Sequence, residues 1–388
     1  MSIGLLYESP ENDENGIKLT AEELDIDLTI IPFRKIAVTL SKSGYNISSK
    51  GKNFTDTVKN VSAILNRAQS KNRRLYSAYT MEALGKKVIN PSSIEFTCYS
   101  KFRTLLNFWS SGLPIPKTVF VPCDPTDALK DGRHLNNEPD IADLIQQEIG
   151  QEVVIKPDAG THGKAIVLSK NRDELITNIQ QTKPSIINPV GVVGQEFIQK
   201  WFYDLRIVVL KESGKKIMCH PVALARAGFN DFRTNTFLGN IVFGIKLPLH
   251  IRNLAIKCGK ALSGEHEAWV FGLDAMINGG PKNADDDNVK AELAKAAISF
   301  NDVKKIQKDP TRLRDFKKWN NDLEKAVGNY KSTESYDKIK NIIEQNVETN
   351  KLNIVFHEAN ACPDFWENTR LITGMNLAVP LLKSAQSL

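Results

Sequence analysis

Long apolar runs and paired cysteines are missing from this 388-residue sequence. No stretch reaches the roughly 18 apolar residues that a membrane-spanning helix needs. The N-terminal stretch MSIGLLYESPENDENG lacks the basic start and the long apolar core of a secretion signal. The 5 cysteines are scattered without a CxxC pair, so neither a zinc site nor a disulfide framework is expected. We therefore predict a protein of the reducing cytoplasm with no membrane partner.

A strong net charge is also absent. The formal net charge is +6, and no basic stripe is interleaved with aromatic residues as in proteins that bind single-stranded nucleic acid. This balance predicts no nucleic-acid partner, but it permits an anionic ligand such as a nucleotide or an acidic peptide. The contents of 41% hydrophobic and 25% charged residues are typical of a globular protein. The length suffices for two or three domains.

The first part of the chain has the pattern of an α/β fold. Apolar runs at 3–7 and 28–33 alternate with helical segments, which favours a parallel sheet in an N-terminal domain, 1–97. Runs at 36–40 and 45–48 predict a hairpin around SKSG. A central domain over 98–198 follows; its first helix is predicted over 97–111 and ends at Gly112.

The C-terminal domain, 199–388, has the pattern of an α+β fold with an insertion. Apolar strands are predicted at 269–277 and 353–360, and a helix at 370–383. From about 279 to 352 the sequence becomes polar with helical periodicity, which predicts two to four amphipathic helices inserted between those strands. The insertion has the composition of a docking surface, an oligomer contact or an inert decoration, and the sequence does not decide among them.

A glycine-containing turn lies between the apolar runs EVVIKP and AIVLS. Glycines let backbone N–H groups approach a phosphate closely, and lysines at both ends add positive charge. Because a strand follows the turn, the pattern is a hairpin and not the strand–loop–helix of a Walker or dinucleotide site. The alternative is a plain hairpin with solvated lysines. The candidate residues are Lys156, Gly160, Thr161, His162, Gly163 and Lys164.

Two further blocks carry polar residues beside apolar strands. In the first, backbone groups near Phe197 can bind an adenine edge, a carboxylate can hold ribose, and an arginine suits a phosphate or carboxylate. In the second, two arginines flank a loop that can clamp an anion. The alternative for both blocks is ordinary surface ion pairs. The residues are Gln195, Glu196, Phe197, Ile198, Asp204 and Arg206 in the first block, and Arg226, Arg233 and Asn235 in the second.

Three oxygen-bearing side chains on apolar strands form a candidate metal site. Glu358 and Asn360 are two residues apart and so share one face of their strand. Asp274 lies on a strand that can pair beside them. Carboxylate and amide oxygens suit Mg²⁺, which also binds nucleotide phosphates. The alternative is a set of polar residues at a strand edge.

The order of these blocks resembles the ATP-grasp superfamily. Within it the chain is most similar to RimK-type carboxylate–amine ligases, especially the LysX-like ligases that join an amino acid to a carrier protein. The similar segments are LNRAQSKNRRLYSAYTMEALGKKVINP, SKFRTLLNFWSSGLPIPKT, VVIKPDAGTHGKAIVL, GQEFI…DLRIVVL, DFRTNTFLGN, FGLDAM and HEANACPDFWENTRLITGMNLA. Many relatives have a glycine in place of Ala165, and the insertion is not a family feature.

The resemblance implies an ATP-grasp fold with an N-terminal Rossmann-like pre-ATP-grasp domain and a helical insertion. It also implies ATP and two Mg²⁺ or Mn²⁺ ions as cofactors. The implied phosphate contacts are Lys101 and Lys156 under a lid loop, 160–163, and the implied nucleoside contacts are 195–198 and Asp204. The resemblance implies that a phosphate or the acyl-phosphate is contacted by Arg206, Arg226 and Arg233, and that phosphate is positioned with the help of Asn235. The implied metal ligands are Asp274, Glu358 and Asn360, and the implied substrate contacts are Arg67 and Arg74.

The implied activity is ATP-dependent ligation of an amine to a carboxylate through an acyl-phosphate. The amine is an amino acid or another small amine, and the acceptor is a carrier protein, a peptide or a small acid. A second hypothesis is an α-glutamate ligase that extends a protein tail or a coenzyme. A third is a nucleotide-binding scaffold whose insertion recruits a partner. Because such ligases often associate, a homo-oligomer is a further expectation.

Overall fold

The computed structural model describes residues 2–122, 137–160, 165–182, 191–234, 239–280 and 286–388. Within these residues the strands form four sheets. The predicted site residues Thr161, His162, Gly163, Lys164 and Asn235 lie outside the described part of the chain.

The N-terminal part is an α/β unit. Its elements are β1 (Ser2–Tyr7), α1 (Asn12–Glu23), β2 (Leu28–Pro32), β3 (Ile36–Ser41), β4 (Gly44–Ser49), β5 (Lys52–Asn53), α2 (Thr55–Asn60), β6 (Val61–Asn66), α3 (Lys71–Ala83) and β7 (Lys87–Ile89). A parallel sheet has the order β2-β1-β6-β7, and β3, β4 and β5 form a separate antiparallel sheet. The predicted parallel sheet and hairpin are therefore confirmed.

The central part has an antiparallel sheet in the order β10-β9-β11-β8, with two helices beside it. The predicted strand–turn–strand pattern after residue 152 is confirmed, since β9 and β10 are neighbours. Its elements are α4 (Ser92–Tyr99), α5 (Lys101–Ser110), β8 (Thr118–Pro122), α6 (Glu138–Ile149), β9 (Val153–Pro157), β10 (Val167–Ser169), α7 (Arg172–Thr182) and β11 (Gly191–Glu196).

The helix predicted over 97–111 is confirmed from Lys101 to Ser110, but its predicted start is wrong. The chain leaves the helical conformation at Ser100, which has φ −102° and ψ 129° and separates α4 from α5. Its hydroxyl oxygen accepts a hydrogen bond from the backbone N–H of Arg103, which is the usual role of serine at a helix N-terminus. The same hydroxyl donates to the carboxylate of Asp158, 2.8 Å away. The break therefore ties the first turn of α5, where Lys101 lies, to the end of β9.

The C-terminal part is built on a larger sheet in the order β15-β14-β12-β16-β17, with β13 paired to β12. Strands β16 and β17 are antiparallel neighbours although 76 residues separate Ile277 from Ile354 in the chain numbering. Its elements are β12 (Tyr203–Lys211), β13 (Met218–Cys219), β14 (Val222–Ala227), β15 (Ile241–Lys246), α8 (Leu249–Ser263), β16 (Trp269–Ile277), α9 (Asp286–Gln307), α10 (Thr311–Arg314), α11 (Phe316–Lys331), α12 (Glu334–Thr349), β17 (Ile354–Asn360) and α13 (Ala378–Ser387).

The helix predicted over 370–383 is also wrong. The segment Thr369–Thr373 is a short π-helical turn that ends at Gly374, where φ is +81°. A left-handed residue stops a helix, and glycine adopts that conformation without a steric penalty. Helix α13 begins only at Ala378, whose N–H donates to the side chain of Asn376.

From residue 286 onward, where the structure describes it, the insertion contains four α-helices, α9 to α12, which agrees with the predicted two to four. Their apolar faces join the same hydrophobic core as the C-terminal sheet. The hydroxyl of Tyr330 donates to the carbonyl oxygen of Val242, and the N–H of Gly244 donates to the hydroxyl oxygen of Tyr336, each at 3.0 Å. The insertion is thus part of the folded core and not a loose decoration. Among the described residues, no helix combines the length and apolar character that crossing a membrane requires.

Candidate active site

A cavity of about 680 Å³ brings most of the predicted site residues together. Strands of the central and the C-terminal sheet line it, and so do α1, α3, α5, α10 and the segment after β17. The predicted residues on its wall are Arg67, Arg74, Lys101, Lys156, Gly160, Gln195, Glu196, Phe197, Ile198, Asp204, Arg206, Arg226, Arg233, Asp274, Glu358 and Asn360.

One end of the cavity combines apolar walls with polar atoms that lack a partner. Val154, Leu224 and Met276 supply apolar surface there, on three different strands. The side-chain oxygen of Gln195 and both ring nitrogens of His357 are buried, and they have no hydrogen-bond partner among the described residues. Burying polar atoms without partners costs free energy, so such atoms indicate a ligand that completes them. An aromatic base with ring nitrogens and an amino group fits this end.

Three lysines surround the carboxylate of Glu358. Lys101 Nζ lies 3.8 Å and Lys71 Nζ 4.0 Å from Glu358 Oε1. Burial raises the pKa of Glu358, but Lys101, Lys71 and the other nearby cations outweigh it and lower that pKa to about 2. Burial also lowers the pKa of Lys156 to about 8, although Glu358 partly opposes this effect. The site therefore holds a concentration of positive charge suited to phosphate oxygens.

Asp274 and Glu358 are directly opposite each other on the antiparallel strands β16 and β17. The guanidinium of Arg206 binds Asp274 with two hydrogen bonds of 2.5 and 3.0 Å. Arg226 lies between Asp204 and Asp274, at 2.6 and 3.1 Å from their carboxylate oxygens. Asp204 and Asp274 therefore share Arg226 in a buried ion network, and Arg206 binds Asp274 as well. Burial raises the pKa of Asp274, but Arg206 and Arg226 outweigh burial and hold that pKa below its ordinary value.

The donor set fits a divalent cation on the side of Glu358 and Asn360. The carboxylate of Glu358 accepts no hydrogen bond from the described residues, and its contacts with Lys71 and Lys101 exceed hydrogen-bond length. Hard, ionised oxygens of this kind are the ligands that Mg²⁺ selects. Asp274 differs, because both of its oxygens already accept hydrogen bonds from Arg206. Coordination by Asp274 requires it to share its lone pairs between a cation and these guanidinium groups.

Several predicted residues make contacts that the sequence did not reveal. Glu196 accepts the backbone N–H of Lys117 at 2.7 Å, and so fixes the start of β8. Arg233 forms an ion pair of 2.7 Å with Asp231. Lys101 Nζ donates to the carbonyl oxygen of Gly160, 3.3 Å away. This last contact places Lys101 beside the glycine that begins the expected lid loop.

The two N-terminal arginines are buried in ion pairs. Arg67 contacts Asp13 at 2.6 Å and Glu14 at 3.4 Å, and Arg74 contacts Glu95 at 2.8 Å. Both side chains still line the cavity. Because carboxylates already satisfy them, their contact with a substrate stays a prediction, and their visible role is to hold α1 and α3 against the cavity.

Sequence reasoning missed several residues that line the cavity. Lys71 and Lys200 are lysines whose pKa burial lowers to about 8. Lys71 lies within the segment NRAQSKNRR, where six other basic or amide residues make it inconspicuous, and Lys200 lies two residues after the expected adenine contacts. Arg312, Asp364 and Glu367 also line the cavity. Their positions depend on packing between distant segments, for which the sequence carries no local signal.

Comparisons with known proteins agree with this geometry. The family model of the RimK-like ATP-grasp domain matches residues 130–282. The alpha-aminoadipate–LysW ligase LysX of Saccharolobus solfataricus is 28% identical over 211 residues, which cover 54% of this chain and 68% of LysX. LysX of Sulfurisphaera tokodaii is 24% identical over 277 residues, which cover 71% of this chain and 85% of that LysX. The coenzyme gamma-F420-2:alpha-L-glutamate ligase of Methanocaldococcus jannaschii is 29% identical over 209 residues, which cover 52% of this chain and 62% of that ligase.

Solved structures share the fold over the whole chain. The ATP-grasp ligase PsnB with a minimal precursor aligns with a TM-score of 0.55 and 12% identity, covering 100% of this chain and 98% of PsnB. The D-cycloserine synthetase DcsG aligns with a TM-score of 0.58 and 10% identity, covering 100% and 99%. At these identities the likeness concerns the fold.

The comparisons confirm the predicted class. Residues 130–282 match the RimK-like ATP-grasp domain, a class that uses ATP and Mg²⁺, and the LysX and F420 relatives are named as ligases. Within that class, the similarity to two LysX sequences confirms the LysX-like resemblance.

Proposed function

We propose that the chain attaches the amino group of an amino acid to a carboxylate on a carrier protein, a peptide or a small acid. The observation that carries this proposal is the convergence of Lys101, Lys156, Asp274, Glu358 and Asn360 on one cavity. A scaffold that only binds nucleotide has no need for this set of charged groups. We also propose three domains, 1–97, 98–198 and 199–388, whose meeting point is the cavity.

The chemistry requires an activated carboxylate, because an amine does not displace oxide from a carboxylate at neutral pH. A carboxylate oxygen of the acceptor attacks the γ-phosphorus of ATP, ADP leaves, and an acyl-phosphate forms. The amino nitrogen then attacks the acyl carbon, the C–N bond forms, the C–O bond to phosphate breaks, and the nitrogen loses a proton. No nucleophile of the protein is needed.

The residues of the chain act by positioning and by neutralising charge. Lys101 and Lys156 bind phosphate oxygens, and Arg226 and Arg233, with Asn235, face the transferred group. Glu358 and Asn360, with Asp274, would hold Mg²⁺, for which we propose two ions; bound there, Mg²⁺ would neutralise charge that develops during phosphoryl transfer. Gln195 and His357 offer their unpartnered atoms to the base and ribose.

Release of the reactive acyl-phosphate into water would waste ATP. The hairpin that joins β9 to β10 begins beside Lys101, since Lys101 Nζ contacts the carbonyl oxygen of Gly160. We propose that residues 160–163 cover the phosphates and exclude water.

The proposal draws on what relatives act on. LysX is named as a ligase of alpha-aminoadipate and LysW, and PsnB was solved with a precursor peptide. These names support a carrier or peptide as acceptor. An α-glutamate ligase is the second candidate, favoured by the 29% identity to the F420 ligase, whose name gives that activity.

The test measures ADP release with MgATP, a panel of amino acids, and acidic peptides or small acids as acceptors. Turnover that needs both an amine and an acceptor supports the ligase, and mass spectrometry of the product identifies the bond. Glutamate as the only accepted amino acid would select the second candidate. Tight ATP binding without turnover across the whole panel would contradict both and favour a scaffold.

A further inference from the structure

The insertion contributes a charged residue to the cavity. Arg312, on α10, lines the same cavity as Glu358 and Asn360, although it belongs to the segment that the family resemblance does not cover. The insertion therefore borders the site of chemistry, which a remote docking module would not.

Among the described residues, Arg312 is the cavity arginine whose side chain has no partner. Within the described part of the chain, its guanidinium makes neither an ion pair nor a hydrogen bond, whereas every other arginine on the cavity wall has a carboxylate within 4.0 Å. Those pairs are Arg67 with Asp13, Arg74 with Glu95, Arg206 with Asp274, Arg226 with Asp204, and Arg233 with Asp231. Arg312 is thus available to bind an anion from outside the protein.

The packing of the next helix fixes where Arg312 lies. Phe316, at the start of α11, packs against Trp366 with ring centroids 5.9 Å apart. The indole N–H of Trp366 donates to Asn320 at 3.0 Å, and Arg370 donates to Asn320 at 2.6 Å. The segment after β17 is therefore joined to α11, and α10 is held at the edge of the cavity.

Carboxylates share this end of the cavity with Arg312. Glu11, Asp364 and Glu367 line it. Burial raises the pKa of Glu11 and of Glu367, and the charge of Arg312 acts on both in the opposite direction. The end thus offers one guanidinium without a partner beside acidic groups. A zwitterion, with its carboxylate near the guanidinium and its ammonium near the acids, matches this arrangement.

We propose that Arg312 binds the α-carboxylate of the amino acid that is ligated, so that the insertion forms part of the amino-acid subsite. This inference rests on the proposed function and adds a specificity residue to it. Arg312 holds the substrate by its carboxylate, the neighbouring acids hold its ammonium, and the amino nitrogen attacks the acyl-phosphate after it has lost a proton.

The test compares Arg312→Gln with Arg314→Gln. Arg314 is an exposed arginine of the same short helix and does not line the cavity, so it controls for loss of charge on α10. Steady-state rates are measured with MgATP, the acceptor, and either the best amino acid of the panel or its α-amide. Panel members are the twenty standard amino acids and α-aminoadipate.

Arg312→Gln should raise KM for the amino acid about 10- to 100-fold, since one charge-assisted contact is lost. KM for ATP should not change, the preference over the α-amide should vanish, and Arg314→Gln should behave as the wild type. An unchanged KM in Arg312→Gln, or an equal rise in Arg314→Gln, would overturn the proposal.

If the proposed function is wrong, the result is different: the wild type shows no turnover with any pair of amino acid and acceptor. In that case the same three proteins are titrated calorimetrically with the amino-acid panel in the presence of Mg²⁺ and a non-hydrolysable ATP analogue. Binding that Arg312→Gln loses and Arg314→Gln keeps supports the amino-acid subsite. Binding that Arg312→Gln keeps, or no amino-acid binding by the wild type, overturns it.

Discussion

Glu358 is the residue on which the charges of the cavity converge. Lys101 and Lys71 stand 3.8 and 4.0 Å away, close enough to keep the carboxylate ionised but too far to saturate its oxygens. Asp274, opposite on β16, is instead saturated by arginine. The two carboxylates therefore differ in the availability of their oxygen lone pairs. Glu358 can coordinate a cation without losing a hydrogen bond, whereas Asp274 must share lone pairs that already accept hydrogen bonds from Arg206.

We expect Glu358→Gln to abolish turnover far more than it destabilises the fold. The amide keeps the shape but removes the negative charge, and loss of one such electrostatic contact typically lowers kcat by about 10²- to 10³-fold. ADP release and thermal unfolding are measured in parallel, with the exposed Glu348→Gln as control. Normal turnover in Glu358→Gln, or unfolding at room temperature, would count against a role in metal binding.

Lys156 gives the site a pH dependence. Burial lowers the pKa of its ammonium to about 8 in the free protein, and a bound triphosphate must raise it again. Below pH 8 the lysine is already charged and binding needs no proton. Above pH 8 binding takes up a proton, so affinity for a non-hydrolysable ATP analogue should fall by up to about tenfold per pH unit.

Calorimetric titrations between pH 7 and 9.5 measure this slope, in buffers of different ionisation enthalpy to count protons. Lys156→Arg keeps its charge over that range, so it should bind with a smaller slope and less proton uptake. An identical slope in wild type and variant would assign the titration to another group, such as Lys71 or Lys200, whose pKa values burial also lowers to about 8.

At the scale of elements, helix α1 meets the segment after β17 through a glycine. A Cβ built on Gly16 would lie 2.0 Å from the ring of Trp366, so only glycine permits this close approach. Asp13, one turn earlier, accepts the backbone N–H groups of Phe365 and Trp366 at 3.1 and 2.8 Å. Trp366 is thereby enclosed between the N-terminal unit and the insertion, and it holds both against the cavity.

Gly16→Ala should destabilise the protein by about 1–3 kcal/mol, because the indole ring must move within a close-packed contact. Gly328→Ala is the matched control: Gly328 lies in the middle of α11 with open space around it, and alanine there should add up to about 1 kcal/mol of stability. Urea unfolding measures both changes. Equal changes in the free energy of unfolding for the two substitutions would show that a methyl group at position 16 fits beside Trp366.

Local sequence patterns predicted the elements better than the contacts between them. Strands β16 and β17 are apolar runs interrupted by carboxylates, so both the strands and their candidate metal ligands could be predicted. Arg206 was expected at a phosphate, yet the register that makes it the partner of Asp274 is set by pairing across the sheet. The break at Ser100 depends on Asp158, 58 residues away, and local periodicity cannot reveal it.

At the scale of the whole molecule, the insertion and the sheet that carries Asp274 and Glu358 share one hydrophobic core. The hydroxyl of Tyr203, on β12, reaches Asn346 of α12 at 2.6 Å, and Tyr330 and Tyr336 bond to the backbone of β15. A segment that stabilises the sheet in this way cannot unfold without exposing it. The insertion and the sheet should therefore unfold together.

Two substitutions of the same chemistry test this coupling. Leu323 on α11 is fully buried, whereas Leu313 on α10 is 72% exposed. Leu323→Ala should cost about 2–5 kcal/mol through loss of burial and a residual cavity, and Leu313→Ala at most about 0.5 kcal/mol. Unfolding in urea is followed by circular dichroism, by tryptophan fluorescence and by loss of nucleotide binding. If the insertion belongs to the core, Leu323→Ala shifts all three transitions together to lower urea; an earlier loss of helical signal, with nucleotide binding kept, would show that the insertion is an independent unit.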